Sequence, residues 1–171
     1  MAIVNVPDKN LTFTETEEIK NYLGAIGIDY ERWENVKSVS PDASADDILE
    51  AYSKEIEEMK AKGDYMTADV IDIKPDIPNL ETILDRFRPE HRHDEDEVRF
   101  IVKGCGIFHI APKDADVVSI KMTAGDLIRV PKGTHHWFDL DETRTVRAIR
   151  LFQDTAGWTP IYTESGLEKN Y

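Results

Sequence analysis

Glu90-His91-Arg92-His93-Asp94-Glu95-Asp96-Glu97-Val98-Arg99 sits just past the middle of a 171-residue chain, and the reading of the rest follows from it. His91 and His93 are two residues apart, so on an extended segment their imidazoles leave the same face. Asp94-Glu95-Asp96 is too acidic for a sheet interior and reads as a turn. Glu97 then opens a second strand, whose apolar run over 98–102 closes at Gly104. Two neutral imidazoles and a carboxylate, converging from neighbouring strands, make half an octahedron around a transition metal.

Downstream of this stretch short apolar runs recur over 107–110, 117–122, 127–130, 146–152 and 159–163, separated by Gly, Pro or Asp clusters. Many short strands with turn chemistry between them predict a sandwich or barrel. Upstream the pattern is helical. Thr14-Glu15-Thr16-Glu17 has the spacing of a capping box, followed by Ile19, Tyr22, Leu23 and Ile26 at helical intervals, with Gly27 as the stop. A short extended piece over 28–33 comes next. Ser44 caps a second helix whose stripe is Ile48, Leu49, Tyr52, Ile56 and Met59, ending at Gly63. A third, shorter helix is predicted over 78–87. Between them, 69–73 alternates like a half-buried strand. The expectation is a mainly β fold, a single domain over 1–171, with a helix-rich part over 1–66 and a β-barrel over 67–171 that holds the metal site.

A second histidine cluster lies in Gly125-Asp126-Leu127-Ile128-Arg129-Val130-Pro131-Lys132-Gly133-Thr134-His135-His136-Trp137-Phe138-Asp139. A strand ends at Pro131, Gly133 turns the chain, and a histidine opens the next strand. Together the two clusters resemble the paired motifs of the cupins. The first is H-x-H, three residues, E, six residues, G, met by His91, His93, Glu97 and Gly104. The second is G, five residues, P-x-G, two residues, H, met by Gly125, Pro131, Gly133 and His136. This spacing selects His136 over His135, and neighbours on a strand face opposite ways, so only one of the pair can be a ligand. One position departs, since Leu140 stands where an Asn often follows the second motif. The resemblance implies a double-stranded β-helix, or jelly-roll, barrel. A zinc that merely pins the barrel would favour closed ligation, commonly with thiolates, and this cluster has none. Three imidazoles and one carboxylate leave two octahedral positions for a chelating substrate. His109, away from both motifs, reads as a core or surface histidine, and Cys105 as a small packed residue.

Arg99 shares the strand face of Glu97, about 7 Å further along. An arginine turned inward beside a metal needs an anion, either an acid such as Asp126 or Asp139 or a substrate oxygen, and its permanent charge and forked donors favour the substrate. Arg150 is a second candidate for substrate binding, whereas Arg147 has the opposite parity and is expected to point out. Trp137, Phe138 and Trp158 can wall a pocket for an apolar tail, though at least one is expected to be ordinary core.

Composition narrows the partners. A formal net charge of −13 repels phosphate backbones and anionic membrane surfaces, so neither nucleic acid nor membrane is expected. The N-terminus lacks the basic start and apolar core of a signal peptide, and no run has the length of a membrane span. A single cysteine excludes an internal disulfide framework and fits a reducing, cytoplasmic location. No long apolar surface stripe calls for a second copy, so a monomer is expected.

Beyond the cupin pattern, the string from Glu90 to Phe100, with His136-Trp137-Phe138-Asp139, resembles the acireductone dioxygenase family. The likeness extends to Glu31-Arg32-Trp33, Arg147-Ala148-Ile149-Arg150-Leu151-Phe152 and Gly157-Trp158. It implies a dioxygenase of methionine salvage acting on the enediol 1,2-dihydroxy-3-oxo-5-(methylthio)pent-1-ene with dioxygen. With Fe(II) the family yields formate and 4-methylthio-2-oxobutanoate. With Ni(II) it yields formate, carbon monoxide and 3-methylthiopropanoate. By position the resemblance makes His91, His93, Glu97 and His136 the ligands of one ion per chain. It also implies that Arg99 holds the substrate as its dianion, and it links Glu90 to metal incorporation and Asp96 to transmitting conformational change. The alternatives are a cupin isomerase or decarboxylase on a small oxyanion, and a non-enzymatic ligand-binding cupin.

Overall fold

The computed structural model describes residues 1–33, 36–154 and 158–171. In chain order the elements are β1 (Ile3–Val6), β2 (Leu11–Phe13), α1 (Thr16–Ala25), β3 (Asp29–Arg32), α2 (Ala45–Ala51), α3 (Ser53–Gly63), β4 (Thr67–Ile73), α4 (Leu80–Leu84), β5 (His91–Arg92), β6 (Glu97–Ala111), β7 (Val118–Thr123), β8 (Asp126–Val130), β9 (His135–Leu140), β10 (Val146–Phe152) and β11 (Ile161–Tyr162). All strand pairings among these residues are antiparallel.

The fifteen-residue β6 is the seam of the barrel. Its first half pairs with β8 and β10, and its second half with β7 and β9. One wall therefore runs β4-β10-β6-β8-β3, and the other β11-β5-β9-β6-β7-β1-β2. The sequence pattern predicted two strands broken at Gly104, but the chain continues through it. Gly104 has φ +79°, and the register against β10 slips between Arg147 and Ala148. This bulge adds one residue, so the inward set changes from Glu97, Arg99 and Ile101 to Gly106, Phe108 and Ile110.

The first wall is buried on both faces. Ile101, Ile128, Val130 and Ala148 face the barrel core, while Val98, Phe100, Val102, Ile149 and Leu151 meet Ile48 of α2, Ile56 and Met59 of α3, and Tyr52 between them. That double burial explains why 98–102 is apolar at both parities apart from Arg99. The fold is the cupin-type barrel with a minor helical layer.

The helices differ in detail from their sequence pattern. Ser44 caps α2 as predicted and forms a capping box with Asp47, Ser44 Oγ accepting from Asp47 N at 3.2 Å and Asp47 Oδ2 from Ser44 N at 2.8 Å. The predicted helix nevertheless breaks at Tyr52, whose buried ring packs on Phe100 and whose hydroxyl accepts Lys37 N–H. In α1 the Thr14 box does not form, because Glu15 is the cap residue and makes no side-chain cap bond. The third helix shortens to α4, and Phe87 N–H closes a following turn on Leu84 O at 2.8 Å. The β1-β2 hairpin, unforeseen in the sequence, adds a strand pair to the edge of β7. The predicted 159–163 strand is only the two residues of β11. Among the described residues no helix is long and apolar enough to cross a membrane.

Candidate metal centre

β5, the start of β6 and β9 bring His91, His93, Glu97 and His136 together. His91 and His136 are direct cross-strand partners. The three imidazole centroids form a near-equilateral triangle with separations of 5.0, 4.6 and 5.2 Å. One donor atom from each of the four residues lies within 4.8 Å of the others, and none of the four is more than 3% exposed.

The hydrogen bonds fix the chemistry of these rings. Nδ1 of His91 lies 2.8 Å from Pro89 O, Nδ1 of His93 3.0 Å from Thr159 O, and Nδ1 of His136 2.8 Å from Thr134 O. Carbonyls only accept, so each Nδ1 carries a proton and each ring turns its Nε2 inward. Nε2 of His93 and of His136 then sit 3.0 and 2.9 Å from the same oxygen, Glu97 Oε2. Lone pairs against a carboxylate repel unless a proton or a metal cation lies among them, and a transition-metal ion fits this donor set. Burial, reinforced by the neighbouring His136, lowers the His91 pKa to about 4. Burial pushes His93 the same way, but the hydrogen bond and charge of Glu97 outweigh it and raise its pKa. Glu97 is driven up by burial and held well below the carboxylate range by Arg99 and His136.

Arg99 faces inward as its parity predicts. Its Nε is 2.7 Å from Glu97 Oε1, yet the N–H is not aimed along that line, and among the described residues neither atom has a hydrogen-bond partner. The guanidinium is 2% exposed and lies 4.7 Å from the Phe138 centroid, 5.3 Å from Phe108, 5.4 Å from Trp158 and 5.9 Å from Phe87. A buried cation with an unsatisfied donor is an anion site by its chemistry. Neither Asp126 nor Asp139 reaches it. Asp126 is taken by Tyr30 and Arg32, and Asp139 by Arg88.

Arg150 lies beside Arg99 on β10 and faces the same way, but two of its donors, Nε and Nη2, are spent on Asp69 at 2.8 and 2.6 Å. Arg147 takes the opposite face, as parity indicates, but it is not out in solvent. It is 5% exposed and paired with Asp72. Glu90 is buried, accepting from Thr163 and Ser165 hydroxyls. Asp96 ties the turn together through Arg129 at 2.9 Å and Lys132 N–H at 3.0 Å. His135 points away from the triangle, its Nδ1 3.5 Å from Glu90. His109 and Trp137 stack on each other 5.1 Å apart on the outer face, and Cys105 is buried. Phe138 and Trp158 line the inside; Gly157 lies outside the described residues.

Sequence reasoning missed Phe87 as part of the wall, having assigned it to a helix stripe, and missed the orienting carbonyls. Two of those, Pro89 and Thr134, each precede their histidine by two residues, a local signal that spacing alone could have offered.

Fold and site together define a cupin-type metalloprotein. The sequence pattern of the ARD/ARD' family matches residues 7–160. The chain is 44% identical over 171 residues to an acireductone dioxygenase of a Picosynechococcus species, covering 100% of this chain and 97% of that protein. It is 44% identical over 160 residues to one from Granulibacter bethesdensis, covering 93% and 89%. The solved acireductone dioxygenase from Bacillus anthracis, with a cadmium ion in its active center, superposes with a TM-score of 0.88 at 38% identity, covering 95% of this chain and 98% of that one. This chain belongs to the ARD/ARD' family, and it is a metal-dependent oxidoreductase.

Proposed function

We propose that this protein cleaves the acireductone 1,2-dihydroxy-3-oxo-5-(methylthio)pent-1-ene with dioxygen, in methionine salvage. His91, His93 and His136, through Nε2, and the Glu97 carboxylate hold one Fe(II) or Ni(II) per chain. The observation supporting this reading is the set of Nε2 atoms gathered at one buried carboxylate oxygen, with every Nδ1 already tied to a carbonyl.

A divalent ion held there would supply Lewis acidity and a template for two adjacent enediol oxygens. The chain's own residues do the rest. Arg99, carrying a permanent charge and an unpaired Nε–H, holds the substrate as its dianion by meeting a deprotonated oxygen. Arg150 adds a second positive charge at the same wall. Phe138, with Phe87 and Trp158, excludes water and receives the apolar methylthio tail. Glu90 fastens the 163–165 segment behind His91, and Asp96 fixes the turn that leads into Glu97. Both are supports that keep the ligands at their spacing. The protein acts as a cytoplasmic monomer without nucleic-acid or membrane partners.

Oxygen uptake with synthetic acireductone tests the reaction, and metal analysis joined to carbon monoxide detection separates the iron route from the nickel route. Rapid uptake with formate release is expected. Substrate turnover without oxygen uptake would point to an isomerase or decarboxylase, and binding without turnover to a ligand-binding cupin.

A further inference from the structure

Three adjacent strands carry a row of charges across the inner face of the first wall. Asp69 on β4 is the direct cross-strand partner of Arg150 on β10, and Arg150 is the direct partner of Arg99 on β6. Directly opposed residues project to the same face, so the three side chains stand side by side, and Glu97 follows Arg99 one pleat along. The Trp158 ring lies 5.4 Å from both guanidiniums. The Asp69 carboxylate grips Arg150 at both Nε and Nη2, a bidentate geometry that locks its orientation.

The signs along the row sum to zero: Asp69 and Glu97 negative, Arg150 and Arg99 positive. A divalent ion and a doubly deprotonated chelating enediol also sum to zero. We infer that Asp69 is a positioning residue whose hold on Arg150 sets the charge a chelating dianion meets at this wall, tuning how tightly that dianion binds. The inference rests on the reading of the site given above.

The test exploits sign. If the ion pair were only a structural tie, removing either half would disturb the site in the same direction. If it sets the charge balance, Asp69→Asn leaves the row one unit positive and tightens a dianion, whereas Arg150→Gln leaves it one unit negative and weakens it. A unit charge one to two strands away, at an effective dielectric constant between bulk water and protein interior and partly screened by salt, shifts affinity by roughly threefold to tenfold.

The probe is oxalate, an unreactive chelating dianion, titrated by calorimetry into nickel(II)-loaded protein of verified metal content, alongside KM for acireductone. The expected result is a lower oxalate Kd and acireductone KM in Asp69→Asn and higher values in Arg150→Gln. The double variant Asp69→Asn/Arg150→Gln should return to within about twofold of the parent, as the two effects share one pair. Shifts of the same sign in the two single variants, no shift in either, or no oxalate binding by the parent protein would overturn the inference. Opposite shifts in oxalate affinity, in a protein that consumes no oxygen with acireductone, would uphold the charge role and refute the proposed reaction.

Discussion

Replacing Arg99 with Gln removes a charge at the point where burial makes charge most consequential. Arg99 and Glu97 are 2% and 1% exposed, so each depends on the other for compensation in the metal-free protein. Taking away one partner of a buried pair costs about 3–5 kcal/mol, because the remaining charge is left in a poor solvent. Metal-free Arg99→Gln should therefore melt well below the metal-free parent. Loading the metal should recover much of the loss, since a divalent cation then compensates Glu97, and none of the four ligands has been touched. Activity should not recover. A preorganised charged donor is worth about 3–4 kcal/mol to a developing or bound oxyanion, so kcat/KM should fall by roughly a hundredfold to a thousandfold. The assay is oxygen uptake at matched metal content, with melting curves before and after loading. A metal-replete variant within threefold of the parent kcat/KM would refute the assignment of Arg99 to the substrate. A variant unable to take up metal would refute the claim that its role is separate from ligation.

Metal-free protein should lose stability in acid through His91. Its folded pKa of about 4 lies below the ordinary 6.5, so the unfolded chain takes the proton first, and the contribution present above 6.5 is lost as pH falls through about 4. Between pH 7 and 4.5 this amounts to about 2–3 kcal/mol, read as the difference in urea-unfolding free energy between the parent and His91→Gln. A parent and variant with the same pH slope would contradict it. Gly104→Ala should destabilise the barrel by several kcal/mol, on the order of other changes that strain a special backbone position. At φ +79° an added Cβ would overlap the Thr145 carbonyl, which accepts Cys105 N–H at 2.9 Å. Chemical denaturation measures it, and a change under 1 kcal/mol would mean that this left-handed position tolerates a side chain.

Much of the site was legible because strand parity and motif spacing act locally. The two-residue spacing of His91 and His93, the acidic turn before Glu97 and the choice of His136 over His135 all reappear as geometry. What parity could not reveal was the wall's double burial. Arg147 follows the face its parity indicates, yet that face is covered and the side chain is enclosed with Asp72. Arg150 looked like a free substrate ligand because its partner, Asp69, is 81 residues away. Gly104 looked like a strand end because a left-handed glycine at a bulge and one at a turn have the same local signature. The helix break at Tyr52 comes from a tertiary contact, the seating of its ring on Phe100 and its hydroxyl on Lys37 N–H, and no helical periodicity encodes that.

The account turns on one ion held by four side chains, and anomalous diffraction at the iron or nickel absorption edge from metal-loaded crystals addresses that directly. It should show a single strong peak per chain, at bonding distance from Nε2 of His91, His93 and His136 and from the Glu97 carboxylate, with each Nδ1 still on its carbonyl. A peak elsewhere, or His136 turned away from an ion held by the other residues, would contradict it.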